Sequence, residues 1–307
     1  MSHILITGGA GFIGSHLARF YLNAGDKVTV VDNLSTGLLE NLPKGVNFIE
    51  QDITSESWTA LLPNDVSYVF HFAAQSSGEI SYENPVYDVK VNTVATLELL
   101  KWSVTNNIKK FVFASSMNVY GTVEDEPITE THLASPESFY AVGKMSSESY
   151  MKIYSELGLS TAILRLFNVY GPGQNMANMK QGMVSIYCAF VANKEPVLVK
   201  GSENRFRDFV YIADVISVCD LALRHKKDYE IFNVCSGVKT TVKTLLSKIF
   251  SAFEMEDYPY QVVDGTPRDQ FGIYGSFEKC EQELGWKPAF TLEKGLNEMV
   301  SWIKKTK

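Results

Sequence analysis

Short apolar runs alternate along this chain with longer segments whose apolar residues recur every three or four positions. Short runs predict strands buried on both faces of a parallel sheet, and the longer period predicts helices. The predicted strands are residues 4–6, 27–32, 46–53, 68–74, 110–116, 161–168 and 230–236. The clearest predicted helices are 15–22, 84–106 and 136–157. Strands that alternate with helices indicate an α/β fold, a doubly wound parallel sheet of the Rossmann type.

The alternation is interrupted at 171–180 and again after about residue 240. We therefore expect a smaller C-terminal substrate lobe over the carboxyl ends of the strands, where ligands bind in such sheets. The expected Rossmann domain is 1–168, rejoined by about 208–237, and the expected lobe is 169–207 with 238–307.

A glycine cluster lies between the first strand and the first helix. Glycine lets the backbone pack against a phosphate, where any Cβ would intrude. The helix that follows points unpaired N–H groups and its positive dipole end at the same place. The turn therefore predicts a pyrophosphate site made by Gly8, Gly11, Phe12, Ile13 and Gly14.

A second strand ends in Asp32, at the spacing typical of a dinucleotide site. A carboxylate there accepts hydrogen bonds from the ribose and repels a 2′-phosphate, so NAD is preferred over NADP. The alternative interpretation of Asp32 is a helix cap or turn former. His71, in the fourth strand, is interpreted as a packed residue rather than a base. Other predicted cofactor contacts follow the second, third and fourth strands: Asn33, Ser35, Thr36, Gly37, Asp52, Ile53, Phe72, Ala73 and Ala74.

Composition narrows the class of protein. The 307-residue chain carries a net charge of −7, which argues against nucleic acid or an anionic membrane surface as its main partner. No apolar run approaches the ~20 residues of a membrane span, and the chain opens directly on a strand rather than a signal peptide. Four widely spaced cysteines favour neither a disulfide framework nor a metal site. We expect a cytoplasmic protein.

Tyr140 and Lys144 lie one helical turn apart on the same face of a predicted helix. A nearby ammonium, with the positive charge of an oxidised nicotinamide, is expected to lower the pKa of the phenol, which then serves as a general base. The pair alone is commonplace on exposed helices. Ser116 ends the fifth strand and Asn168 the sixth, so both are expected at the same sheet edge as the tyrosine.

Together these motifs resemble the extended short-chain dehydrogenase/reductase family, specifically its nucleotide-sugar epimerases and dehydratases. The resemblance covers essentially the whole chain. It rests on TGGAGFIG (7–14), DNLSTG (32–37), Asp52-Ile53, HFAA (71–74), Ser115-Ser116 with VYG (119–121), YAVGK (140–144), FNVYGPG (167–173), RDFVYIADV (207–215) and LGWKP (284–288).

The resemblance implies that NAD stays bound, with Asn92, Ser115, Tyr140 and Lys144 near it. Tyr140 would be the base, Lys144 would bind the nicotinamide ribose, and Ser116 would polarise a sugar hydroxyl. The implied reaction oxidises a sugar carbon, usually C4, and returns hydride to the other face of a transient 4-keto sugar. The family often forms homodimers through the two long helices, here 84–106 and 136–157.

The implied substrate is a nucleotide-diphosphate sugar, with UDP as the expected nucleotide. Asn168 and Arg207 would contact the diphosphate. Many family members carry a second arginine at the position that is Thr266 here, and Arg268 or Arg205 would take its place. The alternative is that Arg268 and Arg205 are surface residues. Ser76 lies in the loop beside the sugar, where Glu79 disfavours a hexuronate unless it faces solvent. Ile273 is expected to narrow the sugar site without closing it to an N-acetyl group, the alternative being a core position.

Family dehydratases carry an Asp-Glu pair where this chain has Met117 and Asn118. Dehydration is therefore disfavoured, and the sequence predicts a 4-epimerase for a UDP-hexose or UDP-N-acetylhexosamine. The alternatives are a dehydratase or reductase of the same family, or a catalytically silent NAD-binding protein.

Overall fold

The computed structural model describes residues 1–180, 182–265 and 270–306. Its strands are β1 (His3–Thr7), β2 (Lys27–Asp32), β3 (Asn47–Glu50), β4 (Tyr68–His71), β5 (Lys110–Ser116), β6 (Thr161–Leu166), β7 (Asn168–Tyr170), β8 (Val197–Lys200), β9 (Phe206–Arg207), β10 (Phe209–Tyr211), β11 (Tyr229–Val234), β12 (Thr240–Thr241) and β13 (Tyr260–Val263). Its helices are α1 (Phe12–Asn23), α2 (Gly78–Glu83), α3 (Pro85–Val89), α4 (Ala95–Thr105), α5 (Phe139–Glu156), α6 (Met183–Ala192), α7 (Ile212–Arg224), α8 (Val242–Ala252), α9 (Glu278–Leu284) and α10 (Leu292–Thr306).

Seven strands form one parallel sheet in the order β11-β6-β5-β4-β1-β2-β3. These are the seven strands that the apolar runs predict, so the Rossmann-type α/β fold is confirmed. The order reverses beside β1, and a crevice therefore opens at the carboxyl ends of β1 and β4.

Alternate residues of each strand enter two separate cores. Ile4 and Ile6 of β1 pack on one face with α1 and α7, whereas Leu5 packs on the other face with α4 and α5. Successive side chains of a strand point to opposite faces of the sheet, so a continuous apolar run makes both faces apolar. Helices therefore cover the sheet on both sides.

The predicted helix 84–106 is not continuous. Asn84 caps α3, and its side chain accepts from the Tyr87 N–H. A π-helical segment, Lys90–Val94, then separates α3 from α4. The Asn92 carbonyl in this segment accepts from the hydroxyls of Thr96 (3.0 Å) and Ser147 (2.6 Å), and the second of these bonds ties the segment to α5.

The other predicted bounds differ in smaller ways. Helix 136–157 is α5, which begins after Ser138 because the Ser138 hydroxyl accepts from the Ala141 N–H. The predicted strand 161–168 divides after Leu166, and β7 pairs with β10 outside the main sheet.

Three two-stranded sheets lie outside the central one: β7 with β10, β9 with β12, and β8 with β13. Most of these strands, with α6 and α8 to α10, fall in the two segments predicted as a substrate lobe, and that division of the chain stays a prediction. All four cysteines are buried free thiols. Among the described helices, none combines the length and the apolar character needed to cross a membrane.

Candidate active site

The turn between β1 and α1 has the tight geometry that its glycines predict. Gly8 has φ +72°, and a Cβ there would lie 2.6 Å from the Ala73 backbone nitrogen at the end of β4. A Cβ on Gly14 would lie 2.2 Å from the Gly8 carbonyl oxygen. Gly11 is the N-cap of α1, and it has no side chain that could accept from the first N–H groups of the helix. Backbone N–H groups are therefore directed at the crevice.

A cavity of about 560 Å³ occupies that crevice. Most residues predicted to bind cofactor or substrate line it. They are Gly8, Gly11, Phe12, Ile13, Gly14, Asp32, Asn33, Ser35, Thr36, Gly37, Asp52, Ile53, Phe72, Ala73, Ala74, Ser76, Ser115, Ser116, Tyr140, Lys144 and Asn168.

Asp32 lies at the tip of β2 and shares its two oxygens between neighbouring loops. Oδ2 accepts from the Ala10 N–H (3.0 Å), and Oδ1 accepts from the Leu34 N–H (2.8 Å). The carboxylate therefore fixes the glycine turn and the adjacent loop while it borders the cavity.

Asp52 holds the same loop from the next strand. Its Oδ2 accepts from the Asn33 side chain (3.0 Å), and its Oδ1 accepts from the Thr54 N–H and hydroxyl (both 2.7 Å). Burial raises the pKa of Asp52, but these hydrogen bonds outweigh burial and leave its pKa below the usual value. Asp52 is thus an ionised anchor of the loop as well as a cavity residue.

Ser116, Tyr140 and Lys144 meet at the inner wall of the cavity, and all three are buried. Lys144 Nζ donates to the Ala114 carbonyl of β5 (2.8 Å) and lies 5.8 Å from the centre of the Tyr140 ring. The Ser116 side chain lies near the Tyr140 phenol and favours its ionised form. The three residue types that the motif predicts are therefore in mutual reach.

The expected lowering of the Tyr140 pKa by Lys144 is wrong for the protein alone. Burial, reinforced by the charge of Asp88 and opposed by the Ser116 side chain, raises the pKa of Tyr140 to about 12. Burial also lowers the pKa of Lys144 to about 7, against the influence of the Asp88 and Glu148 carboxylates. Desolvation dominates both groups because both side chains are buried.

A buried ion pair lies one helical turn beyond Lys144, between Glu148 of α5 and Arg165 of β6. Glu148 accepts from Arg165 Nη2 (2.7 Å) and Nε (3.1 Å), and from the Ser115 hydroxyl (2.5 Å). The Arg165 guanidinium also lies 4.8 Å from the centre of the Tyr120 ring. This pair joins α5 to β5 and β6 at the strand ends that carry Ser115 and Ser116.

The structure reveals two residues that the sequence argument missed, Gln75 and Asp88. Gln75 Nε2 donates to Asp88 Oδ2 (2.8 Å) and to the Ser77 carbonyl (2.9 Å). Asn92, predicted near the cofactor, is buried behind Gln75 of the cavity wall and donates to the Gln75 carbonyl and to Asp88 Oδ2. Its role at the cofactor stays a prediction. Asp88 precedes Asn92 by one helical turn, and this spacing in the sequence could have indicated that the two side chains interact.

Two of the predicted substrate residues lie away from the cavity surface. Arg207 is buried and donates to the backbone carbonyls of Phe206, Gln270 and Phe271. Ile273 is 1% exposed and packs in a cluster with Met117 and Phe167, which do line the cavity. Both roles stay predictions, because structural position alone does not test them.

Asn168 borders the cavity, and its Nδ2 donates to the Asp208 carbonyl (2.9 Å). The Arg205 alternative is also buried, and its Nη1 donates to the Lys200 carbonyl (2.8 Å). Arg268, Thr266 and the side chain of Glu79 fall outside the described residues.

Three further residues take the positions that their sequence suggests. Met117 and Asn118, in place of an acid pair, both line the cavity. His71 is a packed strand residue, as predicted: its ring nitrogens bond to the Thr7 (2.6 Å) and Thr96 (2.9 Å) hydroxyls. Burial, with a smaller effect of Lys144, lowers the pKa of His71 to about 3.

A doubly wound sheet with a glycine turn at its switch point defines a dinucleotide-binding α/β protein. The model of the NAD dependent epimerase/dehydratase family matches residues 4–235. The chain belongs to this family, its cofactor is NAD, and it is an isomerase.

Known proteins resemble the chain over nearly its full length. It is 36% identical over 307 residues to a putative UDP-glucose 4-epimerase of Methanocaldococcus jannaschii, with 98% of each chain covered. The crystal structure of UDP-glucose 4-epimerase from Thermotoga maritima with UDP-glucose superposes with a TM-score of 0.94 at 36% identity, covering 99% of both chains. A UDP-N-acetylglucosamine 4-epimerase from Methanobrevibacter ruminantium, in complex with UDP-N-acetylmuramic acid, gives 0.93 at 31% identity, covering 100% of this chain and 99% of that one.

Proposed function

We propose that this enzyme is a UDP-hexose 4-epimerase that acts through a transient 4-keto sugar. The observation that carries the proposal is the meeting of Ser116, Tyr140 and Lys144 at the inner wall of a cavity that also contains the glycine turn. Similarity to the two named 4-epimerase structures supports the choice of reaction and of a UDP-sugar.

The glycine turn fits a dinucleotide because its backbone leaves no room for a Cβ at Gly8 or Gly14. The N–H groups at the start of α1 would bind the pyrophosphate, and Asp32 would accept from the adenosine ribose. Ala73 and Lys144 would flank the nicotinamide end. When bound, NAD supplies a reversible hydride acceptor.

Tyr140 would take the proton from the sugar hydroxyl and later return it, with Ser116 holding that hydroxyl oxygen in reach. A phenol with a pKa of about 12 is a poor base at neutral pH. Protonated Lys144 and the positive charge of the oxidised cofactor both favour the phenolate. The base is therefore expected to become effective in the NAD-loaded enzyme.

Dehydration needs a further acid and base beside the sugar. The positions that follow Ser116 carry Met117 and Asn118, and both side chains border the cavity. Neither group transfers a proton near neutral pH. Epimerisation is therefore preferred to loss of water.

For the sugar, we propose a neutral hexose, with plain hexoses favoured over N-acetylhexosamines. Ile273 would act through Met117 and Phe167, against which it packs, rather than by direct contact. Asn168 is the proposed diphosphate contact at the cavity, and Arg207 would support the same region from the adjoining β9 strand.

The test is incubation of the NAD-loaded enzyme with UDP-glucose, UDP-galactose and their N-acetylated counterparts, with C4 epimers resolved by chromatography. Interconversion of UDP-glucose and UDP-galactose is expected. Tyr140→Phe should abolish turnover with NAD still bound, and Ser116→Ala should reduce kcat by about tenfold to a thousandfold. A 6-deoxy-4-keto product, release of NADH, or full activity of Tyr140→Phe would refute the proposal.

We also propose a homodimer. Exposed apolar residues lie on α3, the π segment and α5, including Val86 (67%), Val94 (44%), Val142 (48%) and Ile153 (51%). A monomer would leave these side chains in water, and pairing through these helices would bury them.

A further inference from the structure

Asp88 is a buried carboxylate that the catalytic roles proposed above do not use. It lies in α3 with no exposed surface, and Oδ2 accepts from Gln75 Nε2 (2.8 Å) and Asn92 Nδ2 (3.1 Å). Oδ1 has no hydrogen-bond partner in the described part of the chain. A buried polar atom without a partner is uncommon and requires a compensating interaction.

The unpartnered oxygen faces the helix that carries the proposed base. A Cβ built on Gly143 of α5 would lie 3.5 Å from Asp88 Oδ1 and 3.1 Å from Asn92 Cβ. Glycine at 143 therefore lets the π segment and α3 pack closely against α5. The Asp88 carboxylate therefore lies beside Gly143, which is between Tyr140 and Lys144 in α5.

We propose that Asp88 is a positioning residue for the proposed epimerase reaction. Its carboxylate is the buried counter-charge of Lys144, and it also holds the cavity loop 75–77 against α5. The proposal rests on the proposed function for the role of Tyr140 as the base.

The charges around Lys144 single out Asp88. Lys144 is faced by Glu148 and Tyr140 from its own helix, by Asp88 from α3 and by His71 from β4. Glu148 is already paired with Arg165, and His71 is held neutral by burial. Among the described groups facing this ammonium, Asp88 is the acid that no arginine pairs.

The same carboxylate fixes a loop of the cavity wall. Gln75 bonds through its side chain to Asp88, Ser77 N donates back to Gln75 Oε1 (2.7 Å), and Asn92 Nδ2 donates to the Gln75 carbonyl (2.9 Å). Gln75, Ser76 and Ser77 all line the cavity. The loop beside the proposed sugar site and the Tyr140–Lys144 helix therefore share one buried anchor.

Asp88→Asn tests the charge, because the amide retains an oxygen acceptor for Gln75 and Asn92. A negative charge raises the pKa of both a nearby tyrosine and a nearby lysine, so its removal lowers both. Both limbs of the pH–rate profile should therefore move to lower pH, by about one unit for a nearby buried charge. The two groups titrate as a coupled pair, and the shift is read from the whole profile.

Asp214→Asn is the matched control. Asp214 is also buried and accepts from two N–H groups, those of Ala289 and Phe290, but it lies in α7. The Asp214→Asn substitution should lower the melting temperature without moving either limb of the pH–rate profile. A uniform loss of activity in Asp88→Asn, with both limbs in place, would overturn the proposal in favour of a purely structural role.

A second measurement does not depend on the substrate. In the NAD-loaded protein with ¹³C-labelled lysine, the Lys144 signal, assigned by its loss in Lys144→Met, should titrate at lower pH in Asp88→Asn than in the parent protein. An unchanged titration would overturn the proposal even if epimerase activity is found. Conversely, a shifted titration without turnover of any sugar would refute the proposed function and leave the Asp88 assignment standing. If Asp88→Asn does not fold, Asp88→Ser, smaller and also neutral, carries the same expectations.

Discussion

At the scale of single residues, Asp32 illustrates how one carboxylate combines structure and recognition. Asp32→Ala removes an acceptor for the ribose and leaves the N–H groups of Ala10 and Leu34 without their partner. Hydrogen bonds to a charged group contribute about 1.5–3 kcal/mol, so NAD affinity should fall by about ten- to a hundredfold. Calorimetric titration of NAD-free protein measures this. An unchanged dissociation constant would show that Asp32 does not contact the cofactor.

His71 gives the fold a specific pH dependence. Its pKa is about 3 in the folded protein and near 6.5 in the unfolded chain, so below pH 6.5 the unfolded state binds more protons. The free energy of unfolding should therefore fall by about 1.4 kcal/mol per pH unit below 6.5, until the pH nears 3. Urea unfolding at pH 7.5 and 5.5, at constant NAD, should show a smaller difference for His71→Gln than for the parent. Equal differences would contradict this assignment.

Residue type and spacing were sufficient to predict Asp32, Ser116, Tyr140 and Lys144 as cavity residues, because each lies at or just beyond a strand end or on a regular helix face. Depth below the cavity surface was not predictable. Asn92 and Arg207 lie one and two positions from the cavity residues Val91 and Phe209, and Ile273 packs in a cluster with Met117 and Phe167. Only the packing of several segments decides which side chain reaches the cavity surface.

At the scale of elements, the β strands follow their apolar runs closely, but the helix 84–106 does not follow its pattern. The π segment inserts an extra residue per turn and alters which carbonyls are paired. Ser147 completes the pairing from α5, at a sequence distance of 55 residues. A local period cannot show a break that a distant helix stabilises.

The glycine turn between β1 and α1 provides an element-scale prediction with an internal control. Gly8 and Gly25 both have positive φ, +72° and +86°, so alanine at either position is strained by about 1–2 kcal/mol. A Cβ at Gly8 also meets the Ala73 backbone at 2.6 Å, whereas Gly25 has no such neighbour within 4 Å among the described atoms. Gly8→Ala should therefore lose NAD binding and additional stability, and Gly25→Ala should keep NAD.

Melting temperatures and retained NAD absorbance measure these two effects separately. Equal losses in the two variants would mean that backbone strain alone, and not close packing of the turn against β4, accounts for the glycine. Loss of NAD from Gly25→Ala would exclude the turn as the specific determinant.

At the scale of the whole molecule, the two faces of the sheet differ in how completely they are covered. One core extends through α1, α7, α8 and α10, whereas the other contains α4 and α5 and is smaller. The outer surfaces of α3, the π segment and α5 then expose Val86, Val142 and Ile153. Exposed apolar side chains concentrated on adjacent helices are typical of an interface between subunits.

Isologous pairing would set α5 against the same helices of a second copy and bury these side chains, so the parent protein should be a dimer at micromolar concentration. The double variant Val142→Glu with Ile153→Glu should be monomeric, because burying carboxylates without partners is unfavourable. Leu198→Glu, at a residue 42% exposed on β8, is the control and should remain dimeric. Sedimentation equilibrium separates these outcomes: a monomeric parent, or a dimer that survives in the double variant, would show that this helical face is not the interface.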